Sequence, residues 1–555
     1  MVAPWEVKAA SKRAKLAASI SKEYMIPEHD LPPADRLDVS QAPKELLSKE
    51  VIEITELTAT EIVDAIAKGK YSAVEVTTAF IKRAVLAHQL LNVFTEFFPE
   101  IALKRATELD EYYKSTGKTI GPIHGLPISL KARLWTVLKE IWPDQFRVKG
   151  VETCMGYVSW ITNEPEKENS TIVDLLLNAG AVFFVKTNIP TSLMAAESRN
   201  CVFGQTVNAY NRTLAPGGSS GGEGAIVSMR GATIGIGTDI GGSIRIPSSF
   251  SGVYGLRPSH ERFPYLKVAN SLEFNEAIVS VDGPLAVSLP DLTLFSKALL
   301  AQEPWKHDPR VLALPFKDYE IPPRPLVFAI ESNDGLVTPH PPVLRAIKIV
   351  TEALKDAGHE VFEFKPYKPD EGWNVVLRAF TVDGGENIQG DLDKSGEPGI
   401  PDIQMFIKGF KALTMSELFM FNKDKLEYKT AFLEYMNGVR SPSGKKIDAW
   451  IRPTTVSASV PAGQLKIRYL GYTALLNLLD YTSVVIPVTK ADPAIDVATP
   501  APGHGLFKEI EQKLWEDYVP EGFTNGPVGI QVIGGRLEEE RMLAVAGVVD
   551  AALKA

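Results

Sequence analysis

The alternation of apolar and polar positions divides the chain into many short helices and strands rather than a few long ones. Two predicted helix starts carry capping boxes, Thr58 with Glu61 and Ser72 with Glu75. Gly69 stops the first helix, and Ala73 to about His88 continues the second with apolar residues at helical spacing. Arg105–Tyr113 predicts another helix, after which Gly121-Pro122 turns the chain into a strand over Leu126–Leu130. A helix over Val173–Ala179 leads into a strand over Ala181–Lys186. Leu326–Ile330 and Glu360–Phe364 read as strands with a helix, Pro342–Ala357, between them. Ile447–Ile451, Ser483–Val488 and Val528–Ile533 are late apolar strands that return to the main sheet. Residues 1–55 read as an irregular, partly helical N-terminal arm and 56–555 as a single domain. Within it, 366–440 is a helical cover rich in Phe, Tyr and Met, and about Arg262 to Ser280 is irregular, lining the mouth of a site. The sum is an α/β fold: a mixed central β-sheet flanked by helices on both sides.

Composition narrows the function. A chain of 555 residues with 45% hydrophobic content can bury a sizeable core. A net charge of −9 gives no electrostatic footprint for nucleic acid. Cys154 and Cys201 are the only cysteines, too few for a disulfide framework, which points to a reducing compartment. Met1 to Ile20 mixes Lys and Glu with alanine and lacks the apolar core of a secretory signal. No run approaches the roughly 20 apolar residues of a membrane helix. A cytoplasmic protein with no membrane partner is expected.

The densest chemistry lies in Ala215 to Pro258, which holds two glycine-flanked serine clusters, Gly217-Gly218-Ser219-Ser220-Gly221-Gly222 and Gly237-Thr238-Asp239-Ile240-Gly241-Gly242-Ser243. Glycine at this density is used for geometry, either positive φ or close backbone approach. The second cluster follows the apolar run Ala232–Ile236, at a strand end, where successive N–H groups can converge beside Ser243. A serine next to converging backbone donors suits acyl transfer, with a nucleophile and an oxyanion hole. Two Gly/Ser surface loops, or a phosphate-cradling loop, would share the same composition. Against the phosphate loop, no Gly-Lys-Ser/Thr follows and Asp239 would repel an anion.

This whole stretch resembles the signature of the amidase signature family of serine hydrolases. Gly125-Leu126-Pro127-Ile128-Ser129-Leu130-Lys131 matches the run that ends in that family's lysine, and Ser219 and Ser243 stand at the spacing its pattern requires. Beyond the signature, Glu96-Phe97-Phe98-Pro99, Leu256-Arg257-Pro258-Ser259-His260 and Gln531-Val532-Ile533-Gly534 are similar to fungal acetamidases and general amidases. The signature core spans about residues 120–260. One segment departs from the pattern. Ala132 to Pro143 (ARLWTVLKEIWP) stands between Lys131 and Asp144-Gln145-Phe146-Arg147-Val148-Lys149-Gly150, which the family runs on directly. It is either an amphipathic turn of helix bulging outward or unspliced sequence retained in frame.

The resemblance implies the roles. Ser243 attacks the carbonyl and becomes the acyl-enzyme; Ser219, on a cis peptide, relays the proton; Lys131 starts neutral and is the base. The N–H groups of Ile240, Gly241, Gly242 and Ser243 form the oxyanion hole, and Leu193 contacts substrate. Asp239 and Arg245 pair to hold the loop. The implied activity is hydrolysis of a small aliphatic or aromatic monocarboxylic amide to carboxylate and ammonia. No cofactor or metal is involved, and a homodimer is the family default. A tailoring amidase of fungal secondary metabolism, and a homologue impaired by the 132–143 segment, are the alternatives. An amidotransferase subunit would bring an organellar address, and none shows. A Ser–His–Asp set would need a histidine, but His124 sits in a glycine-proline turn and His260 orders the loop after the signature. No metal-ligand spacing such as HExxH occurs, and Cys201 has no nearby base.

Overall fold

The computed structural model describes residues 2–132, 147–152, 154–268, 271–272, 274–464 and 467–555, with the backbone alone at Met405. Among the described residues thirteen strands form: β1 Phe94–Phe97, β2 Pro127–Lys131, β3 Val182–Thr187, β4 Arg199–Asn200, β5 Gly204–Gln205, β6 Ile234–Asp239, β7 Tyr254–Arg257, β8 Val281–Ala286, β9 Val327–Ile330, β10 Glu360–Glu363, β11 Ala449–Pro453, β12 Ser483–Lys490 and β13 Pro527–Ile533. Strands β4 and β5 pair alone. The other eleven make one sheet in the order β1-β3-β2-β6-β8-β7-β12-β13-β11-β9-β10. The sheet is mixed. Strand β2 runs parallel to both neighbours, β3 and β6, whereas β8 pairs antiparallel with β6 and β7.

Burial explains the centre of the sheet. Every residue of β2, β3 and β6 is buried, so these strands carry apolar runs rather than alternation, as parallel strands covered on both faces do. Helices flank the sheet, among them Ala73–Leu91, whose capping box forms with Ser72 accepting from the Glu75 N–H. The helix expected over Arg105–Tyr113 runs from Pro99 to Thr116, with Pro99 preset for a first helical turn. The cover between 366 and 440 divides into Pro369–Phe380, Glu386–Ser395, Gln404–Ile407 and Met415–Gly438.

Among the elements without an assignment from the sequence are two strands. Val281–Ala286 (VDGPLA) holds Asp-Gly-Pro, yet it forms β8, because β6 and β7 supply ladders on its two sides. Gly283 is required there, since a Cβ would stand 2.3 Å from the Leu256 carbonyl oxygen. Phe94–Phe97 forms the edge strand β1, held against the N-terminal helix Pro4–Ser19 by Lys12, whose ammonium meets Glu96 and, at 2.8 Å, Glu152. No described helix is long and apolar enough to cross a membrane. Of the segment Ala132–Pro143, Ala132 is buried and donates to the Thr187 carbonyl at 3.1 Å. Residues 133–143, with both readings of the insert, lie outside the described residues.

Candidate active site

Lys131 is the last residue of β2, and its side chain has no solvent exposure. The parallel pairing of β2 between β3 and β6 aims the strand end at the glycine-rich stretch. Lys131 Nζ lies 2.8 Å from Ser219 Oγ, 2.9 Å from Thr238 Oγ1 and 3.2 Å from the Thr238 carbonyl. Ser219 follows a cis peptide bond from Gly218. Gly218 packs so closely that a Cβ would meet the Glu197 nitrogen at 2.6 Å, which excludes any larger residue. The next residue, Ser220, donates its N–H to the Ser243 carbonyl at 3.2 Å, tying the two serine clusters together.

Ser243 sits in the loop between β6 and the helix Arg245–Phe250, and is 9% exposed. Asp239 organises that loop. Its carboxylate accepts from the N–H groups of Gly242 at 2.8 Å and Ile244 at 3.0 Å. It also accepts from Arg245 Nε at 3.0 Å and Nη2 at 2.9 Å, and from Asn477 Nδ2 at 2.8 Å. Burial alone would raise the Asp239 pKa, but the Arg245 charge and these hydrogen bonds hold it far below the usual carboxylate range. Gly242 has φ +131, where only glycine is at ease, and a Cβ there would stand 2.5 Å from Thr473 Oγ1. The Gly242 N–H is therefore spent on Asp239. Among the described residues, nothing accepts from the N–H groups of Ile240, Gly241 and Ser243.

A family model described as Amidase matches residues 75–543. The chain belongs to the amidase signature family. It is 45% identical to an acetamidase of Emericella nidulans over 98% of this chain and 97% of that one. An acetamidase of Aspergillus oryzae is 42% identical over 98% of both chains. Among solved structures, a fatty acid amide hydrolase superposes with a TM-score of 0.89 at 33% identity, over 99% of this chain and 95% of that one. The enzyme is a hydrolase acting on amide C–N bonds.

Ser243 and Gly218 open onto a small pocket whose walls are apolar, including Leu193, Met194, Ile246, Phe380 and Phe406. Leu193 reaches it from a turn in which Ser192 and Leu193 both have positive φ, 64° and 65°. The enzyme's other candidates fall elsewhere. His124 Nδ1 accepts from the Ile120 N–H at 3.0 Å, and burial lowers its pKa. The His260 N–H is bound to Asp480, and burial pushes the Cys201 thiol up to about 11, an inert thiol.

Several residues that complete the site carry no sequence signal. Thr473 donates to the Gly241 carbonyl at 2.7 Å, while Arg245 donates to the Thr473 carbonyl and to Gln531 Oε1, each at 3.0 Å. Phe380, from the helical cover, stands against Gly241, where an added Cβ would be 2.8 Å from its ring. Glu223 is buried behind Lys131. Burial raises its pKa to about 7, opposed by hydroxyl donors and by the Lys131 charge. Gln531, Arg245 and Glu223 lie in stretches that the sequence singles out, Glu223 without an assigned role. Thr473 and Phe380 are brought in by chain segments distant in sequence, where no local pattern marks them.

Proposed function

We propose that the enzyme hydrolyses small primary carboxylic amides to carboxylate and ammonia through an acyl-enzyme on Ser243, without a cofactor. The contact between Lys131 and Ser219 carries the mechanism. A neutral lysine amine has two N–H groups and one lone pair. The Thr238 carbonyl, which can only accept, takes an N–H, and the amine at 2.8 Å from Ser219 Oγ is within reach of the hydroxyl proton. As the Ser243 oxygen bonds to the amide carbon, its proton passes to Ser219, and the Ser219 proton to Lys131. The oxygen that becomes negative is received by the N–H groups of Ile240, Gly241 and Ser243. On collapse the C–N bond breaks and ammonia leaves with the proton returned from Lys131 through Ser219. Water then attacks the ester along the same proton path, and the carboxylate is released.

The narrow apolar pocket beside Ser243 supports a small aliphatic or aromatic acyl group, as does the likeness to two acetamidases. The Lys131–Ser219 contact favours a working enzyme over one impaired by the 132–143 segment. Free thiols at Cys154 and Cys201 support a cytoplasmic setting.

The test is ammonia release from acetamide, propionamide, benzamide and phenylacetamide by the full chain and its Ser243→Ala variant. Mass spectrometry of the enzyme during turnover accompanies it. Loss of turnover in a folded variant, with an acyl adduct on Ser243 of the parent, is expected. Undiminished activity in Ser243→Ala would overturn the assignment.

A further inference from the structure

Glu223 is a buried acid that the mechanism leaves unused. It lies in the first turn of the helix Gly221–Ser228, four positions after Ser219, and has no solvent exposure. Its Oε2 accepts from Ser129 Oγ at 2.5 Å and its Oε1 from Thr187 Oγ1 at 2.5 Å. Ser129 precedes Lys131 by two residues on β2, so both side chains leave the same face of the strand. Thr187 closes β3 and is the register partner of Lys131. On β6, Gly235 makes room, for a Cβ there would stand 2.2 Å from Glu223 Oε2. One carboxyl group thus joins β2 and β3 to the helix that follows Ser219, in a slot kept open by β6.

The charged groups around this slot are few. Lys186 on β3 acts on Glu96 instead, and Asp239 at the end of β6 is paired with Arg245. Lys131 is the charged group, among the described residues, whose field Glu223 feels. Resting on the reading of Lys131 as the base, we propose that Glu223 is its positioning residue. It holds the end of β2 against Ser219, and its charge sets how readily Lys131 keeps a proton.

The reasoning is reciprocal. A field from Lys131 that favours ionised Glu223 is matched by a field from ionised Glu223 that favours protonated Lys131. Burial works against ionisation of the acid and raises its pKa to about 7, against the opposing field of a charged Lys131. Glu223 keeps its protonation state through turnover; in the fraction of enzyme where it is ionised, with the Ser129 and Thr187 hydroxyls donating to it, its charge favours the protonated amine. No proton moves between the two residues in this scheme.

Glu223→Gln tests this. Glutamine keeps the volume and both hydrogen-bonding positions, its carbonyl accepting from one hydroxyl and its amide donating to the other, but it cannot ionise. The acidic limb of kcat/KM for acetamide should move down by about one pH unit, because the amine stays neutral to lower pH without an anion behind it. A folded variant whose limb does not move overturns the proposal, whatever its kcat. Ser129→Ala, which removes one donor to the ionised acid, should move the limb in the same direction by less. It serves as the test should Glu223→Gln fail to fold. Lys131→Met separates the two levels of the argument. If its residual activity keeps the same acidic limb, the limb does not belong to Lys131, and the reading beneath this proposal fails. If that limb is lost in Lys131→Met but unmoved in Glu223→Gln, only the role of Glu223 fails.

Discussion

Arg245 grips Asp239 through two parallel hydrogen bonds, Nε to Oδ2 at 3.0 Å and Nη2 to Oδ1 at 2.9 Å, with both side chains wholly out of water. The same carboxylate holds the N–H groups of Gly242 and Ile244 on either side of Ser243, so the pair fixes the loop from below. Asp239→Asn leaves Arg245 buried without its counter-charge. It should lower unfolding stability at pH 7 by about 3–5 kcal/mol and remove most activity. The Asp239 pKa is depressed on folding, so its stabilisation is present above the ordinary carboxylate value of 3.8 and is lost as pH falls below it. Denaturant unfolding should therefore show the gap between parent and variant closing below about pH 4. A gap independent of pH would place the effect outside this ionisation.

Lys131 stands 2.8 Å from Ser219 with no exposure to water. Lys131→Met keeps the stem of the side chain and removes the proposed base. A loss of about 10²- to 10⁴-fold in kcat/KM for acetamide is expected, with circular dichroism unchanged. A variant within threefold of the parent would leave Lys131 with a structural role alone.

Phe380 lines the small apolar pocket beside Ser243, the proposed acyl pocket, standing against Gly241 and edge-on to Phe406 with ring centroids 6.1 Å apart. Phe380→Ala should raise kcat/KM for benzamide relative to acetamide by about tenfold or more, as removing a wall admits a larger group. It should also lower the thermal midpoint, since a buried Phe→Ala change costs about 3–5 kcal/mol. An unchanged ratio in the folded variant would mean that another surface sets acyl size.

The N-terminal helix is anchored by one buried lysine, Lys12, between Glu96 and Glu152. Lys12→Met strips Glu96 of its partner at the edge of the sheet. Urea unfolding should register a loss on the order of 3 kcal/mol. The kcat for acetamide should be unaffected, because no group of the site touches this helix. A coincident loss of kcat would couple the arm to catalysis.

The helices between Thr58 and Thr116, those before β3 and between β9 and β10, and the late strands were legible in the sequence, with boundaries shifted by a few residues, whereas Leu289–Leu300, Gly471–Leu479, Lys508–Glu516 and Glu539–Lys554 were not. Strands β3 and β12 announce themselves as apolar runs, and the capping boxes at Thr58 and Ser72 form as their spacing predicts. The β8 segment was not legible, because Asp-Gly-Pro is turn chemistry wherever strands do not pair on both sides of it.

Sequence by itself determined the family, and it singled out Lys131, Ser219 and Ser243, the residues proposed to carry the chemistry, since these lie in unbroken local motifs. Tertiary structure decided which backbone donors stay open, because Asp239 takes the Gly242 N–H only once Arg245, Asn477 and the loop are assembled. It also decided what closes the pocket and what stands behind the lysine. Phe380 and Thr473 reach the site from segments far apart in the chain, and Glu223, though close to Ser219 in sequence, meets β2 and β3 only through packing; neither hydrophobic period nor turn chemistry records such contacts.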